Sequence, residues 1–450
     1  MRICVLMASL AAACVAHARQ FTGPDAWQPV HTDVIKKWQD EQGKGGEAHV
    51  RVWNGVAADA RQRTVRLLAE AVGHAEGVTT EFLIVGPGSD RAYEAAAVTV
   101  AKPSDIVLAM EHIGLPRGGG VYSRPFRFWP CGERVSATAR HLSDPEGKAY
   151  PLQSLVKDTS AEGLLGGGGL VFAGGRWRDG ECLADTRQPS AVISLYNEAE
   201  TLFDVPFQAS QGAVYGRVSL AKALPYGEVL EITLAPLPSK DGKPWVKQLN
   251  VLAAHENGEW AITCSGTNNA VQHKGDLAST LAWMKAEDAA GRDLFVTLNM
   301  RDDLPLAKAA DVARVFYMLD GKGIKLDGKG EGGVYPRAFL PQEQWREREG
   351  RTPQPFEIHI TPDAAGGFTK KLTFIEEDWT VEGLDPKLTP KDYPFSAWDD
   401  LPALIQNVGG EDSKVNLLFV FAPSAAPIKT FMPAIRALAE RLPLVYVFGE

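Results

Sequence analysis

The sequence predicts a multi-domain α+β protein, with small mixed sheets, helices packed on one face of them, and an internal repeat in the C-terminal half. Three observations carry this expectation. The 450 residues are 45% hydrophobic and 23% charged, a globular balance, and at about 150 residues per domain they make roughly three domains. The segment from Val50 to about Leu237 is rich in short apolar runs punctuated by Gly and Pro, the mark of strands. Beyond it the order helix, strand, helix, strand occurs twice.

The N-terminus reads as an export signal. Arg2 supplies the positive start, Ile3 to Val15 is an apolar run interrupted only by Ser9, and Ala16-His17-Ala18 is an A-x-A cleavage pattern before Arg19. The run is too short for a comfortable membrane span. A rival reading makes Cys14 the lipid-bearing cysteine of a lipoprotein; it is the weaker, because Ala11 stands where such sites usually carry a larger aliphatic residue. Cleavage after Ala18 removes Arg2 and no acid, which leaves 46 basic and 56 acidic residues and moves the formal charge from -9 to -10. That balance argues against a phosphate-tracking surface, so nucleic acid is not expected as a partner. Residues 19–46 then read as a polar linker with a short helix near Val34 to Trp38.

Residues 47–240 form the first expected domain. Glu81 to Val85 is a strand running into the turn Gly86-Pro87-Gly88. Pro103-Ser104-Asp105 opens a helix in which Ile106, Ala109, Met110 and Ile113 share a face and Gly114 is the stop. Thr64 to Val72 is ambiguous: Val65, Leu67, Ala69 and Ala71 alternate as in a strand, while Val65, Leu68, Ala69 and Val72 fit a helix.

The two copies of the repeat occupy residues 247–330 and 356–450, joined by a polar linker over 331–355 that contains the short helical stretch Trp345 to Gly350. In the first copy Trp260 to Thr263 and Leu294 to Leu298 are strands, Asp276 begins a helix, and Pro305 begins another bearing Ala309, Val312, Phe316 and Leu319. In the second, Leu401, Leu404, Ile405 and Val408 mark a helix, and Val415 to Phe421 is a strand. Pro427 opens a helix with Ile428, Phe431, Ile435 and Leu438, and Leu444 to Phe448 closes as a strand.

Two resemblances follow from these strings. Glu81-Phe-Leu-Ile-Val-Gly-Pro-Gly-Ser-Asp-Arg-Ala-Tyr-Glu94, Val98-Thr-Val, Pro103 to Leu115, Gly169 to Gly174, Ala184-Asp185 and Val192 to Asn197 occur in the order found in the YdjY-type domain. The likeness covers about residues 50–206. It implies an exported bacterial protein and a fold unit, but no activity; four suitably spaced cysteines for an iron–sulfur cluster are absent. The repeat resembles the periplasmic domain of the ExbD/TolR family, with Val296 to Leu306 in the place of its strand and acidic turn. In the second copy Phe419 to Pro427 has lost the acids, and no membrane helix with a proton-carrying aspartate precedes the modules. Only a binding or dimerising role is implied.

Chemistry is sparse. The nine histidines show no H-E-x-x-H spacing. His112 reads as a polar residue at a helix C-terminus, and His359, between Ile358 and Ile360, as one face of a strand. Gly86-Pro87-Gly88 reads as a turn, since Pro87 lacks an amide and no Lys-Ser/Thr follows, and Gly166 to Gly169 as a flexible connection. The acids at Asp302-Asp303, Glu376 to Asp378 and Asp399-Asp400 lack EF-hand spacing. The one catalytic reading is a hydrolase using an aspartate pair. Asp158 and Asp185 each precede Thr, as in aspartic peptidases, although Lys157 and Arg187 flank them unfavourably.

Removal of the signal leaves Cys131, Cys182 and Cys264, for which a Cys131–Cys182 disulfide with Cys264 buried is the expectation and a metal site the weaker alternative. No cofactor or metal is expected. The leading functional expectation is an exported, periplasmic or secreted, non-catalytic protein, binding an envelope partner or itself, with no membrane span after signal removal.

Overall fold

The computed structural model describes residues 27, 29–44, 47–123, 126–144, 146–159, 168–327, 356–378, 387–409, 417–432 and 444–449. The signal, the 331–355 linker and the positions of Ile435 and Leu438 lie outside them. The chain divides into two compact units, residues 1–121 with 128–246, and residues 122–127 with 247–450. Its helices and mixed sheets make it an α+β protein.

Unit 1 begins with helix α1 (Thr32–Gly43) and strands β1 (Val50–Trp53), β2 (Val56–Asp59), β3 (Thr64–Ala71), β4 (Phe82–Val85) and β5 (Ala95–Thr99). Helix α2 (Pro103–His112) leads to strands β6 (Arg134–His141), β7 (Tyr150–Pro151), β8 (Val156–Asp158) and β9 (Leu170–Phe172). The hairpin β10 (Trp177–Arg178) and β11 (Glu181–Cys182) precedes β12 (Ala191–Ser194) and β13 (Phe203–Asp204). The single turn α3 (Gln211–Val214), β14 (Val218–Leu220) and β15 (Val229–Pro236) complete the unit.

Eight of these strands close on themselves, a larger sheet than the sequence suggests. The order is β3, β15, β6, β9, β13, β12, β4, β5 and back to β3. Closure works because β3 divides one of its edges: Thr64 to Leu67 pair with β2, and Ala69 to Ala71 pair with β5. Its other edge pairs with β15 from Val65 to Glu70.

The ambiguity over Thr64 to Val72 therefore resolves as strand. Val65, Leu67, Ala69 and Ala71 belong to the main core, whereas Leu68 lies in a separate cluster with Ile35, Trp38 and Val229. Alternating residues face opposite sides, as a period of two requires. Helix α2 buries Ile106, Ala109 and Met110, with Pro103 in its first turn. Gly114 follows it at φ +85°, where a side chain would be strained.

The segment expected as a linker is instead an arm fixed to the sheet. Trp27 is buried in the main core, and α1 packs Ile35 and Trp38 against Leu68 and Val229. Two buried carboxylates on that outer face hold the arm. Glu70 accepts the amides of Val30 and His31, both at 2.8 Å, and Glu231 accepts the Trp38 indole N–H at 2.6 Å while pairing with Arg140. Bonds to an ionised acceptor contribute roughly 1.5–3 kcal/mol each. Local composition hides the arm because its anchors lie far away in sequence.

Unit 2 carries β16 (Val246–Glu256), β17 (Glu259–Ser265), β18 (Val271–Gly275), α4 (Leu277–Ala289), β19 (Asp293–Met300), α5 (Leu306–Leu319) and β20 (Lys325–Leu326). Then come β21 (Phe356–Pro362), β22 (Phe368–Asp378), β23 (Lys387–Phe395), α6 (Leu401–Gly409), β24 (Leu417–Ala422) and β25 (Leu444–Gly449). One sheet has the order β18-β17-β16-β19-β20 and the other β23-β22-β21-β24-β25. These are the same topology, so the repeat is real, and each copy has a leading three-stranded meander. Asp276 caps α4 by accepting the Ser279 amide at 2.7 Å.

The copies also meet through equivalent atoms. Leu306 N–H donates to Ala426 O and Ile428 N–H donates to Leu304 O; Ala307 N–H donates to Ser424 O and Lys429 N–H donates to Asp302 O, all at 2.9 Å. Pro305 faces Pro427 at the centre. Each bond in one loop has its counterpart in the other, a local two-fold relation. One apolar cluster contains Leu298, Val312 and Phe316 from the first copy and Ile358, Val420 and Phe431 from the second.

Two outcomes follow. A protease cut within 331–355 should leave the halves of unit 2 associated, co-eluting in gel filtration and separating only when denatured; separation under native conditions would contradict the shared core. Glu70→Ala should leave two amides without their acceptor, at about 1–3 kcal/mol each, and expose the arm to limited proteolysis well before the sheet is cut.

Candidate functional site

The two aspartates that sequence pairs for hydrolysis stand on different elements. Asp158 ends β8, opposite Val218 of β14. Asp185 ends the turn Leu183–Asp185, is exposed, and its Oδ1 accepts the Ser104 amide of α2 at 2.9 Å. It thereby satisfies a first-turn N–H that no intrahelical carbonyl reaches. The acid that feels its charge is Asp105, held above the usual carboxylate range by burial first, with Asp185 adding to the shift and Lys102 opposing it. The Asp185 carboxylate is thus engaged at the start of α2, while Asp158 lies at the end of β8.

In the structure the sulfurs of the expected Cys131–Cys182 pair are not bonded to each other. Cys131, Cys182 and Cys264 are all buried thiols. Cys131 exchanges both backbone hydrogen bonds with Gly119, beside the Phe172 carbonyl that lies against Gly118 and Gly132. Cys182 instead sits on the β10–β11 hairpin with its sulfur near Gly175, further along the chain from Phe172. Burial pushes the Cys182 thiol up to about 11, and burial does the same to Cys264. Neither sulfur is a ready thiolate nucleophile.

The remaining candidates are structural. His112 Nε2 lies 2.9 Å from the His49 carbonyl. His359 is half-buried on β21 and stacks on Phe421 with ring centroids 4.9 Å apart. Gly86 makes the expected turn, where its amide donates to Ser190 O and a Cβ would lie 2.4 Å from Ser190 Oγ. Among the described residues, no group of three or more His, Cys, Asp or Glu is arranged to hold a metal.

A group that the sequence did not reveal lies where β4, β12 and β13 converge. Glu81 precedes β4, Tyr196 follows β12, and Asp204 ends β13. The strands bring them together because β12 pairs antiparallel with β4 and parallel with β13. Glu81 is 1% exposed and Asp204 0%. Asp204 Oδ1 accepts Asn197 Nδ2 at 3.0 Å and the Val205 amide at 2.7 Å, while its Oδ2 has no hydrogen-bond partner. Glu81 Oε2 accepts Gln211 Nε2 at 2.8 Å, and its Oε1 likewise has none.

Burial raises Asp204 well above the ordinary aspartate value, against the hydrogen bonds from Asn197 and Val205 and with help from Glu198. Burial also raises Glu81 and Glu198, and the Tyr196 phenol, which is hydrogen-bonded to Glu198. In each case burial favours the neutral acid over the charged form. The only local hint in the sequence is an acid inside an apolar run, Leu202-Phe203-Asp204-Val205. Nothing in the spacing says that residues 81, 198 and 204 meet.

No family model matches the chain, and no curated protein matches it. Two crystal structures of the prototype foamy virus protease–reverse transcriptase, the native protein and a selenomethionine-labelled CSH mutant, are similar to it at 10% identity with a TM-score of 0.13. They cover 45% of this chain, which spans 36% of theirs, about a third of their length. A likeness that distant carries no argument about fold or chemistry.

A thiol count on chain unfolded without reductant should find three reactive cysteines if Cys4 and Cys14 have been removed, and none should react rapidly before unfolding. One thiol would restore the disulfide.

Proposed function

We propose that the protein is an exported cell-envelope component with a non-catalytic binding or scaffolding role, engaging an envelope protein or a second copy of itself. Export rests on the Arg2, apolar-run and Ala16-His17-Ala18 pattern at the N-terminus. The resemblance of residues 50–206 to the YdjY-type domain, and of the repeat to ExbD/TolR periplasmic modules, points to the same compartment. Among the described residues, no helix is long and apolar enough to cross a membrane.

The observation that carries the binding role is the two-fold arrangement of unit 2. Two copies of one five-strand module are fastened by equivalent loops. One chain thus presents the same kind of surface twice, and a partner with two matching sites gains effective concentration from the second contact. The outer strands are guarded against indiscriminate pairing. β23 carries Lys387, Pro390, Lys391 and Pro394, and the β17–β18 ladder is interrupted by a register shift at Cys264/Ser265. Specific recognition then depends on matched side chains rather than on bare backbone.

Crosslinking in intact cells followed by purification should recover one recurrent neighbour, or a second copy, joined through unit 2. Asp158→Asn and Asp185→Asn should retain that neighbour and the native fold, since the amide that replaces the Asp185 carboxylate keeps an oxygen for the Ser104 N–H. If the purified protein hydrolyses peptides and either substitution abolishes the activity, the hydrolase reading replaces this one. The recovered chain should begin at Arg19.

A further inference from the structure

The acids gathered around β13 outnumber the cations that face them. Glu198 lies beside Asp204, and Glu200 lies beside Glu198. Tyr196 faces both Glu198 and Glu81, and Glu94 faces Glu81. Five carboxyl groups, Glu81, Glu94, Glu198, Glu200 and Asp204, thus share two cations among the described residues. Arg91 pairs with Glu94 at 2.9 Å, and Arg187 with Glu200 at 3.0 Å. Arg91 also bears on Glu81, but among the described residues no ion pair is formed by Glu81, Glu198 or Asp204. A buried charge without a partner is expensive enough that the group holds a proton instead.

The segment above them is fastened through the same group. Asn197 N–H donates to Ala209 O at 2.8 Å, and Ala209 N–H donates to Asn197 Oδ1 at 2.7 Å. The second arm of the Asn197 amide reaches Asp204, and Gln211 reaches Glu81. Tyr196 lies against Phe82 with ring centroids 5.5 Å apart. Asn197 therefore ties the 205–209 loop to Asp204, and Gln211 ties the start of α3 to Glu81.

We propose that this group is a proton-operated latch, in which Asp204 is carried as the neutral acid and its ionisation frees residues 205–211 from the end of the closed sheet. The bare Oδ2 is the position of the proton. Loss of that proton leaves a negative oxygen among Phe203, Val205 and Glu198 with no donor to receive it. The cheapest relief is local: the loop lifts, water reaches Asp204, and the apolar ends at Phe82 and Leu202 become accessible.

The sign is fixed by linkage. A carboxyl whose folded-state value is raised contributes stability that is fully present below its unfolded value and is lost as pH rises through the folded value. The latch is closed in acid and loosens toward alkaline pH.

Hydrogen exchange of the full chain at pH 5 and pH 8, corrected for the intrinsic pH dependence of exchange, tests this. Protection of 205–211 should fall by about tenfold or more, the factor that a folded-state value about one unit or more above pH 5 supplies, while that of β3 and β15 stays level. Asp204→Asn keeps an acceptor for Asn197 and Val205 without a titrating charge, and should abolish the pH dependence. The Asp204 carboxyl carbon shift in the wild-type protein should show no titration near the ordinary aspartate value. That carboxyl ionising below about pH 4.5, or a 205–211 segment equally protected at both pH values, overturns the proposal whether or not the variant folds.

Discussion

Strand β3 carries the first unit. Its eight residues have hydrogen-bond partners on three strands, with β2 and β5 sharing one edge and β15 taking the other. A strand at the margin of a sheet leaves a row of N–H and C=O groups to water or to another chain. Here the ring closes where β5 takes over from β2, and the core forms inside it. Leu67 and Ala69 point inward, while Leu68 and Glu70 on the opposite face supply a floor and an anchor for the arm. One alternating sequence thus builds both layers.

That dual service explains why Thr64 to Val72 is ambiguous when read alone. Glu70 and Leu68 occupy positions that a half-exposed strand would fill with solvated residues. Their burial comes from α1, whose contribution is invisible in any local window. The same reason hides the arm: polar residues around Pro24, Pro29 and Gly43 look like a linker until the distant carboxylates of Glu70 and Glu231 are placed beneath it. Helix α2 is legible because Pro103, its apolar face and Gly114 are local signals, and the internal repeat because the order of elements needs no long-range pairing to be seen. The meander that opens each copy is the part that escapes. Strands such as Val271–Gly275 are short and polar, and gain their place from neighbours.

The candidate site is less legible still. Asp158 and Asp185 stand out because of the residues beside them in sequence, yet Asp185 serves the start of α2. Asp204 is marked only by its apolar neighbours, and its character arises from complete burial and from Asn197 and Glu198 beside it. Electrostatic character belongs to surroundings, which the pairing of β12 with β4 and β13 creates. The thiols follow the same rule. A shared domain suggests a bridge between Cys131 and Cys182, whereas their placing is set by backbone pairing, Cys131 with Gly119 and Cys182 with Trp177.

The bond from the Trp38 indole to Glu231 spans 193 residues. A chain made or threaded from its N-terminus presents the arm first, but its seat exists only after β15 has joined β3 and β6. The arm is thus among the first parts to appear and among the last to settle. Its docking reports that the ring is complete, and until then Trp27, Ile35 and Trp38 remain without their burial sites. A chain that stalls before residue 231 carries three unsatisfied apolar side chains at its leading end, a ready mark of incomplete assembly for whatever surveys unfolded protein.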